Sequence, residues 1–163
     1  MGPSGLTLVI VREDMIGHEN PLTPTMLSYK VAADNDSMYN TPPCYAIYVA
    51  KLVLEWVRDE IGGLEAMAEI NQRKAQKLYD FIDASKVFKA PVEKGSRSIM
   101  NVPFVTGDDE LDKKFCKAAE KAGFVNIKGH RSVGGMRASI YNAMPEAGVD
   151  ALIEFMREFE QNV

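Results

Sequence analysis

The sequence predicts an α/β chain in two parts: residues 1–62 as the edge of a larger α/β domain, and residues 63–163 as a complete small α+β domain. Three features carry that expectation. The run Leu6-Thr7-Leu8-Val9-Ile10-Val11 is β-branched and largely apolar, as a strand buried on both faces would be. Only a long polar segment and one helix follow it before Gly62, too little to cover both faces of such a strand. From Gly62 onward the periodicities read α-β-β-α-β-β-α, an order that closes one layer of sheet and helix.

Taken in order, Arg12 to Met38 holds His18, Asn20, Pro21, Pro24 and the polar cluster Asp34-Asn35-Asp36-Ser37. It reads as a long irregular segment, which compact domains usually keep for function. Asn40-Thr41-Pro42-Pro43 then opens a helix, with Thr41 as N-cap and Pro42 at the first helical position. Tyr45, Tyr48, Val49, Leu52, Val53 and Trp56 follow at helical spacing, and Ile61-Gly62-Gly63 ends the run. A second helix covers Leu64 to about Ser85, with Leu64, Met67, Ile70, Leu78, Phe81 and Ile82 inward. Val87 to Ala90 and Ser98 to Thr106 read as strands. Asp108 caps a helix whose inward stripe is Leu111, Phe115, Ala118, Ala119 and Ala122. Phe124 to Ile127 and Met136 to Tyr141 are strands again, and Val149, Leu152, Ile153, Met156 and Phe159 mark one face of a closing helix.

Composition narrows the function classes. The 163 residues are 46% hydrophobic and 26% charged, enough to bury a core and too apolar for a disordered or collagen-like chain. The longest apolar stretch, Cys44 to Val57, is broken by Lys51 and Glu55, which argues against a membrane span. A net charge of −4 supplies no large cationic field for nucleic acid. Cys44 and Cys116 form no C-x-x-C motif, and the N-terminus has no basic leader region, so a reducing cytoplasm is expected. His18 and His130 sit in no metal-ligand pattern, and no metal site is expected. Cys116 lies on an inward stripe and reads as a structural thiol.

Charge distribution says more than the total. Between Lys113 and Arg137 seven basic residues face one acid, Glu120, so this window carries +6. Lys113, Lys114, Lys117 and Lys121 read as the solvated face of the helix after Asp108. Lys128-Gly129-His130-Arg131 and Arg137 lie outside it, beside glycines, where basic residues suit capture of a small anion. Each candidate also has an ordinary reading. Asn40-Thr41 is either a helix cap or, with the free helix N–H groups, a phosphate cradle. Arg137 is either half of a surface ion pair or a two-pronged clamp on a carboxylate. His130-Arg131 is either a solvated loop or a second anion site.

Four blocks carry a resemblance: Gly2-Pro3-Ser4-Gly5-Leu6, Tyr39-Asn40-Thr41-Pro42-Pro43, Arg97-Ser98-Ile99-Met100-Asn101-Val102, and the tract from Gly129-His130-Arg131-Ser132-Val133-Gly134-Gly135-Met136-Arg137 to Ala143. In order and over essentially the whole chain, they resemble the phosphoserine aminotransferases. These are fold-type I, pyridoxal-phosphate-dependent transferases of serine biosynthesis. The resemblance implies that residues 1–62 are the C-terminal edge of the large cofactor-binding domain and 63–163 the small C-terminal domain. It implies a homodimer whose active sites borrow residues across the interface. Asn40 and Thr41 match the pair that binds the cofactor phosphate across the dimer interface, and Arg137 the arginine that holds the substrate α-carboxylate. His130 and Arg131 match the pair that holds the phosphate of phosphoserine or the distal carboxylate of glutamate. Substrates would be phosphoserine, glutamate and their 2-oxo acids.

One departure matters. In the family the lysine that anchors the cofactor lies two residues before the position of Met1, and the aromatic that stacks on the cofactor lies further upstream. Neither Lys30 nor Lys51 sits in an equivalent strand-to-turn context. The chain by itself is therefore expected to contain no catalytic residue and to be inactive. The alternative is a non-catalytic dimerisation or anion-binding module derived from the same family. The apolar edge at Leu6 weighs against it, because a stand-alone protein would cover or charge such an edge.

Overall fold

Two glycines decide where the first half of the chain gives way to the second. Gly62 and Gly63 take φ of 95° and 105°, a left-handed backbone that few other residues adopt, and the helix before them ends there. In the computed structural model, which describes residues 2, 4–130 and 134–163, the division falls at this point, giving units Met1–Ile61 and Gly62–Val163.

In the first unit the expected buried strand is absent. Leu6–Val11 makes no ladder, and Leu8 and Ile10 are exposed, Ile10 completely. No strand exists among the described residues of this unit to pair with it, and an unpaired run buries nothing. The segment read as irregular contains two single 3-10 turns and a short helix, α1 (Tyr29–Asp34). Ser28 caps α1 by accepting from the Val31 N–H at 3.2 Å, and its hydroxyl donates to Glu19. Helix α2 (Cys44–Trp56) begins two residues later than expected, with Pro43 as N-cap, so Thr41 does not cap it. The cause is the Pro42-Pro43 pair, since a residue that precedes proline is pushed out of the helical region. A π-helical turn, Val57–Ile61, finishes α2.

The second unit is built on helix α3 (Leu64–Ala84). Its inward stripe is Met67, Ala75, Leu78, Tyr79 and Ile82, as the spacing requires, whereas Leu64 at the first position is exposed. Asn71 and Lys74 are also buried on that stripe. Strands β1 (Asn101–Phe104) and β2 (Met136–Ser139) pair antiparallel, with Asn101 opposite Ser139 and Pro103 opposite Arg137. Between them lies α4 (Asp109–Lys121), capped by Asp108, whose carboxylate accepts from the Glu110 and Leu111 N–H groups. Helix α5 (Glu146–Gln161) closes the unit and buries Val149, Leu152, Ile153, Met156 and Phe159.

Two expected strands shrink to single bridges. Val87–Ala90 contributes only Lys89, bonded to Val105 in both directions, because Pro91 has no N–H to continue the ladder. Phe124–Ile127 is bent at Asn126, φ 59°, and pairing resumes only at Lys128 opposite Met136. The core gathers around Phe88, fully buried, with edge-on contacts to Phe104 at 5.8 Å and Phe115 at 5.1 Å between ring centroids. Phe115 in turn meets Phe159 at 5.0 Å.

Candidate functional site

Strand alternation sorts the two short strands into faces. Val102, Phe104, Met136 and Ala138 are buried against the helices. The opposite face carries Asn101 and Pro103 from β1 and Arg137 and Ser139 from β2, and Tyr141 follows in the same alternation. Arg137 is held by its backbone, whose N–H donates to Ile127 O at 2.7 Å. Its Nε is buried and has no hydrogen-bond partner, and among the described residues no carboxylate pairs with its guanidinium. A half-buried cation without an anion is costly, which favours a site that receives one.

Beside it, Asn101 Oδ1 accepts from Ser139 Oγ at 3.1 Å and from the Tyr141 hydroxyl at 3.3 Å. Asn101, Ser139 and Tyr141 all lie in the sequence blocks quoted above, yet spacing alone gave them no role. The period-two alternation through Arg137 would have grouped Ser139 and Tyr141 with it. Asn101 joins only through the register of β1, which a single sequence does not display.

His130 stands at the base of a closed loop. Gly129 N–H donates to Gly135 O and Gly134 N–H to His130 O, each at 2.8 Å. The glycines are required by close approach. A Cβ at Gly129 would run into the Gly134 carbonyl, and one at Gly135, φ 60°, would meet Val105 Cγ1 at 2.5 Å. His130 is exposed and lines a half-open groove of about 690 Å³ with Lys113 and Lys117 of α4, Lys128, and the acids Asp109, Asp112 and Glu120. The lysines of α4 are exposed, as expected, and Lys113 is paired with Glu110 at 2.6 Å. Arg131 lies outside the described residues. Cys116 is half-buried in this groove, and burial pushes its thiol pKa up.

Asn40 and Thr41 belong to the first unit and His130 and Arg137 to the second. Both Asn40 and Thr41 are exposed. They precede the N-terminus of α2, which no side chain caps. An amide, a hydroxyl and uncapped helix N–H groups are the donor set that a phosphate monoester takes, so these residues fit the phosphate of pyridoxal phosphate. Asn40 also lines a small depression of about 50 Å³ with Thr25, Ser28, Ser37 and Tyr39. Among the described residues no cluster of His, Cys, Asp and Glu could hold a metal, and no helix is long and apolar enough to cross a membrane.

The fold is that of part of a fold-type I transferase, shared with solved structures of phosphoserine aminotransferase. The enzyme from Bacillus circulans subsp. alkalophilus superposes with a TM-score of 0.87 and 47% identity, over 93% of this chain and 42% of that one. A second phosphoserine aminotransferase structure, from a study of radiation damage to its Schiff base, reaches a TM-score of 0.93 at 48% identity, over 99% of this chain and 45% of that one. A PLP-bound phosphoserine aminotransferase from Trichomonas vaginalis gives 0.79 at 40% identity, over 85% of this chain and 39% of that one. Residues 1–152 match the aminotransferase class-V family, and the chain belongs to it. Among curated relatives, the phosphoserine aminotransferase of Listeria monocytogenes is 61% identical over 159 residues, 98% of this chain and 43% of the relative. That of Hahella chejuensis is 58% identical over 98% of this chain and 44% of the relative. The chain thus spans less than half the length of the relatives it matches.

Proposed function

We propose that this chain is part of a phosphoserine aminotransferase, converting phosphoserine and 2-oxoglutarate to 3-phosphohydroxypyruvate and glutamate in serine biosynthesis. The observation that carries the reading is Arg137, half-buried on the polar sheet face with no carboxylate partner among the described residues, in a chain 61% identical to a protein of that name. Residues 1–62 are taken as the C-terminal edge of the large cofactor-binding domain and 63–163 as the small domain. The enzyme is a cytoplasmic homodimer in this reading.

Pyridoxal phosphate, when bound, supplies the electron sink that lets an amino group pass between an amino acid and an oxo acid. The residues of this chain bind and orient. Asn40 and Thr41 donate to the cofactor phosphate together with the N-terminal N–H groups of α2. Arg137 holds the substrate α-carboxylate with its guanidinium fork, which fixes the direction of the bonds at the α-carbon. His130 and Arg131 take the distal anion, a phosphate in phosphoserine and a carboxylate in glutamate. A cationic pocket serves both because each anion offers several acceptor oxygens. No residue of this chain is assigned the proton transfer, and the chain alone is expected to show no turnover.

The test uses the full-length protein. Arg137→Ala should weaken binding of phosphoserine and glutamate alike, by at least about 30-fold, because one partner of a desolvated charge pair is lost. Arg131→Ala should weaken phosphoserine more than it weakens the cofactor. Unchanged affinity for both amino acids in Arg137→Ala would remove the reading. So would turnover of 3-phosphohydroxypyruvate and glutamate by the purified, cofactor-supplemented 163-residue chain, as regards its inactivity alone.

A further inference from the structure

Asn101 stands on the same sheet face as Arg137, diagonal to it across the β1–β2 register, a separation that long side chains bridge. Its amide meets two hydroxyls of that face. Oδ1 accepts from two hydroxyls, Ser139 Oγ at 3.1 Å and Tyr141 OH at 3.3 Å. The other end of the amide, Nδ2, makes no hydrogen bond among the described residues. With Oδ1 turned to the two hydroxyls, the N–H donors of Nδ2 are left on the face that also carries the Arg137 guanidinium, which no carboxylate among the described residues pairs. Two donors of this kind on one polar face match the oxygens of a carboxylate, with the charge supplied by Arg137 and a neutral donor at its side.

We infer that Asn101 is a substrate-binding residue that donates through Nδ2 to the carboxylate held by Arg137, with Ser139 and Tyr141 as the residues that position its amide. The inference rests on the reading of Arg137 given above. It assigns the neutral half of the carboxylate site, which also explains why a strand-start asparagine faces outward in place of the β-branched residue a sheet would prefer. Tyr141, exposed at the end of the same face, then contributes by orientation and not by packing.

The experiment compares two unreactive probes that share a phosphate and differ at the group in question. 3-Phosphoglycerate has the carboxylate, whereas glycerol 3-phosphate has a hydroxymethyl group in its place. Dissociation constants are measured by calorimetry on the full-length, cofactor-loaded protein and on its Asn101→Asp, Asn101→Ala and Arg137→Ala variants. Asn101→Asp keeps an oxygen to accept from Ser139 and Tyr141, which protects the fold, but has no N–H. Asn101→Ala removes the donor without adding charge. Both should weaken 3-phosphoglycerate roughly tenfold, the worth of a hydrogen bond to a charged group. Both should leave glycerol 3-phosphate within about twofold, since a structural defect would lower both ligands. If Arg137→Ala weakens 3-phosphoglycerate and the Asn101 variants do not, the role of Asn101 is overturned while that of Arg137 stands. Equal weakening of both probes by the Asn101 variants also overturns it. If Arg137→Ala leaves 3-phosphoglycerate unchanged, the carboxylate site itself is misplaced and both assignments fall.

Discussion

Lys74, fully buried in the middle of α3, donates from Nζ to the Tyr141 carbonyl at 2.9 Å. The same ammonium reaches Met144 O at 2.9 Å and Ile140 O at 3.3 Å, so its three donors are all used. One helical turn earlier, Asn71 Nδ2 donates to Asn142 Oδ1 at 2.8 Å. Together they tie the turn after β2 to α3 and fix the end of the strand that carries Arg137 and Ser139. A buried lysine here does what a sheet neighbour would otherwise do: it satisfies carbonyls that have left the ladder.

Lys74→Met keeps most of the volume but removes the ammonium from the Ile140 and Met144 carbonyls, leaving Tyr141 O only the Met144 N–H, and should cost about 2–3 kcal/mol in urea unfolding. An unchanged midpoint would mean water replaces the ammonium without loss. The pH dependence has a definite sign. Burial lowers the Lys74 pKa below its ordinary 10.5, so in the window between the lowered value and 10.5 the unfolded chain binds more protons than the folded one. Stability therefore rises with pH across that window, and the rise should be absent from Lys74→Met.

Arg97 and Asp83 supply a second testable pair. The Arg97 fork donates to both Asp83 oxygens at 2.9 and 2.6 Å, and its guanidinium lies 4.5 Å from the centre of the Tyr79 ring. These hydrogen bonds, chiefly from Arg97, lower the Asp83 pKa from 3.8 to about 2. A depressed carboxylate pKa adds stability that is present above 3.8 and is lost as pH falls toward about 2. With Asp83 about a third exposed, solvent screening leaves the pair worth about 1 kcal/mol at neutral pH. Asp83→Asn should lose that amount at pH 7, and the gap from wild type should close through the stated window. A gap that persists at pH 2 would show that charge is not its source.

Much of the second unit was legible because its signals are local. The Val149-to-Phe159 spacing, the Gly62-Gly63 break and the Asp108 cap each depend on a few adjacent residues, and each is found where the sequence puts it. The failures share a different cause. Leu6–Val11 reads as a strand from its β-branching, but a strand exists only by pairing, and no partner is present among the described residues. Thr41 fails as a cap because Pro43 acts on Pro42, a restriction that outweighs the preference for Thr at that place. Lys74 and Asn71 sit within an apolar stripe, where polarity suggests exposure. Only the tertiary neighbours, more than sixty-five residues away, explain their burial. For the site, Arg137 and His130 stood out by charge beside glycine, while Asn101 is neutral and joins them only through strand register.

The two thiols should differ in reactivity. Cys44 is exposed at the first position of α2, whereas Cys116 is half-buried and its pKa is raised, mainly by burial. Thiolate is the reactive form, so alkylation near pH 8 should label Cys44 well before Cys116, and denaturant should remove the difference. Mass mapping of the labelled peptides decides it. Equal rates in the folded protein would contradict the burial of Cys116.

The loop that carries His130 depends on two glycines for separate reasons, and the substitutions should separate from an ordinary one. At Gly129 a methyl group would strike the Gly134 carbonyl, and both the loop closure through Gly135 O and the bridge at Lys128 hold that backbone in place. At Gly135 the new Cβ would meet Val105 Cγ1 at 2.5 Å and Phe104 O at 2.8 Å, on a backbone already at φ 60°. Neither obstacle is the far end of a flexible side chain, so relief requires moving the backbone at Gly134 for the first and at Phe104 and Val105 for the second. Each change should cost about 1–3 kcal/mol. Gly95→Ala is the control, because nothing lies within 4 Å of its Cβ, and it should change stability by less than about 0.5 kcal/mol. Urea unfolding of the three variants measures this. If Gly129→Ala matched Gly95→Ala, the closed loop would not be the conformation in solution, and the placement of His130 beside the strand of Arg137 would lose its support.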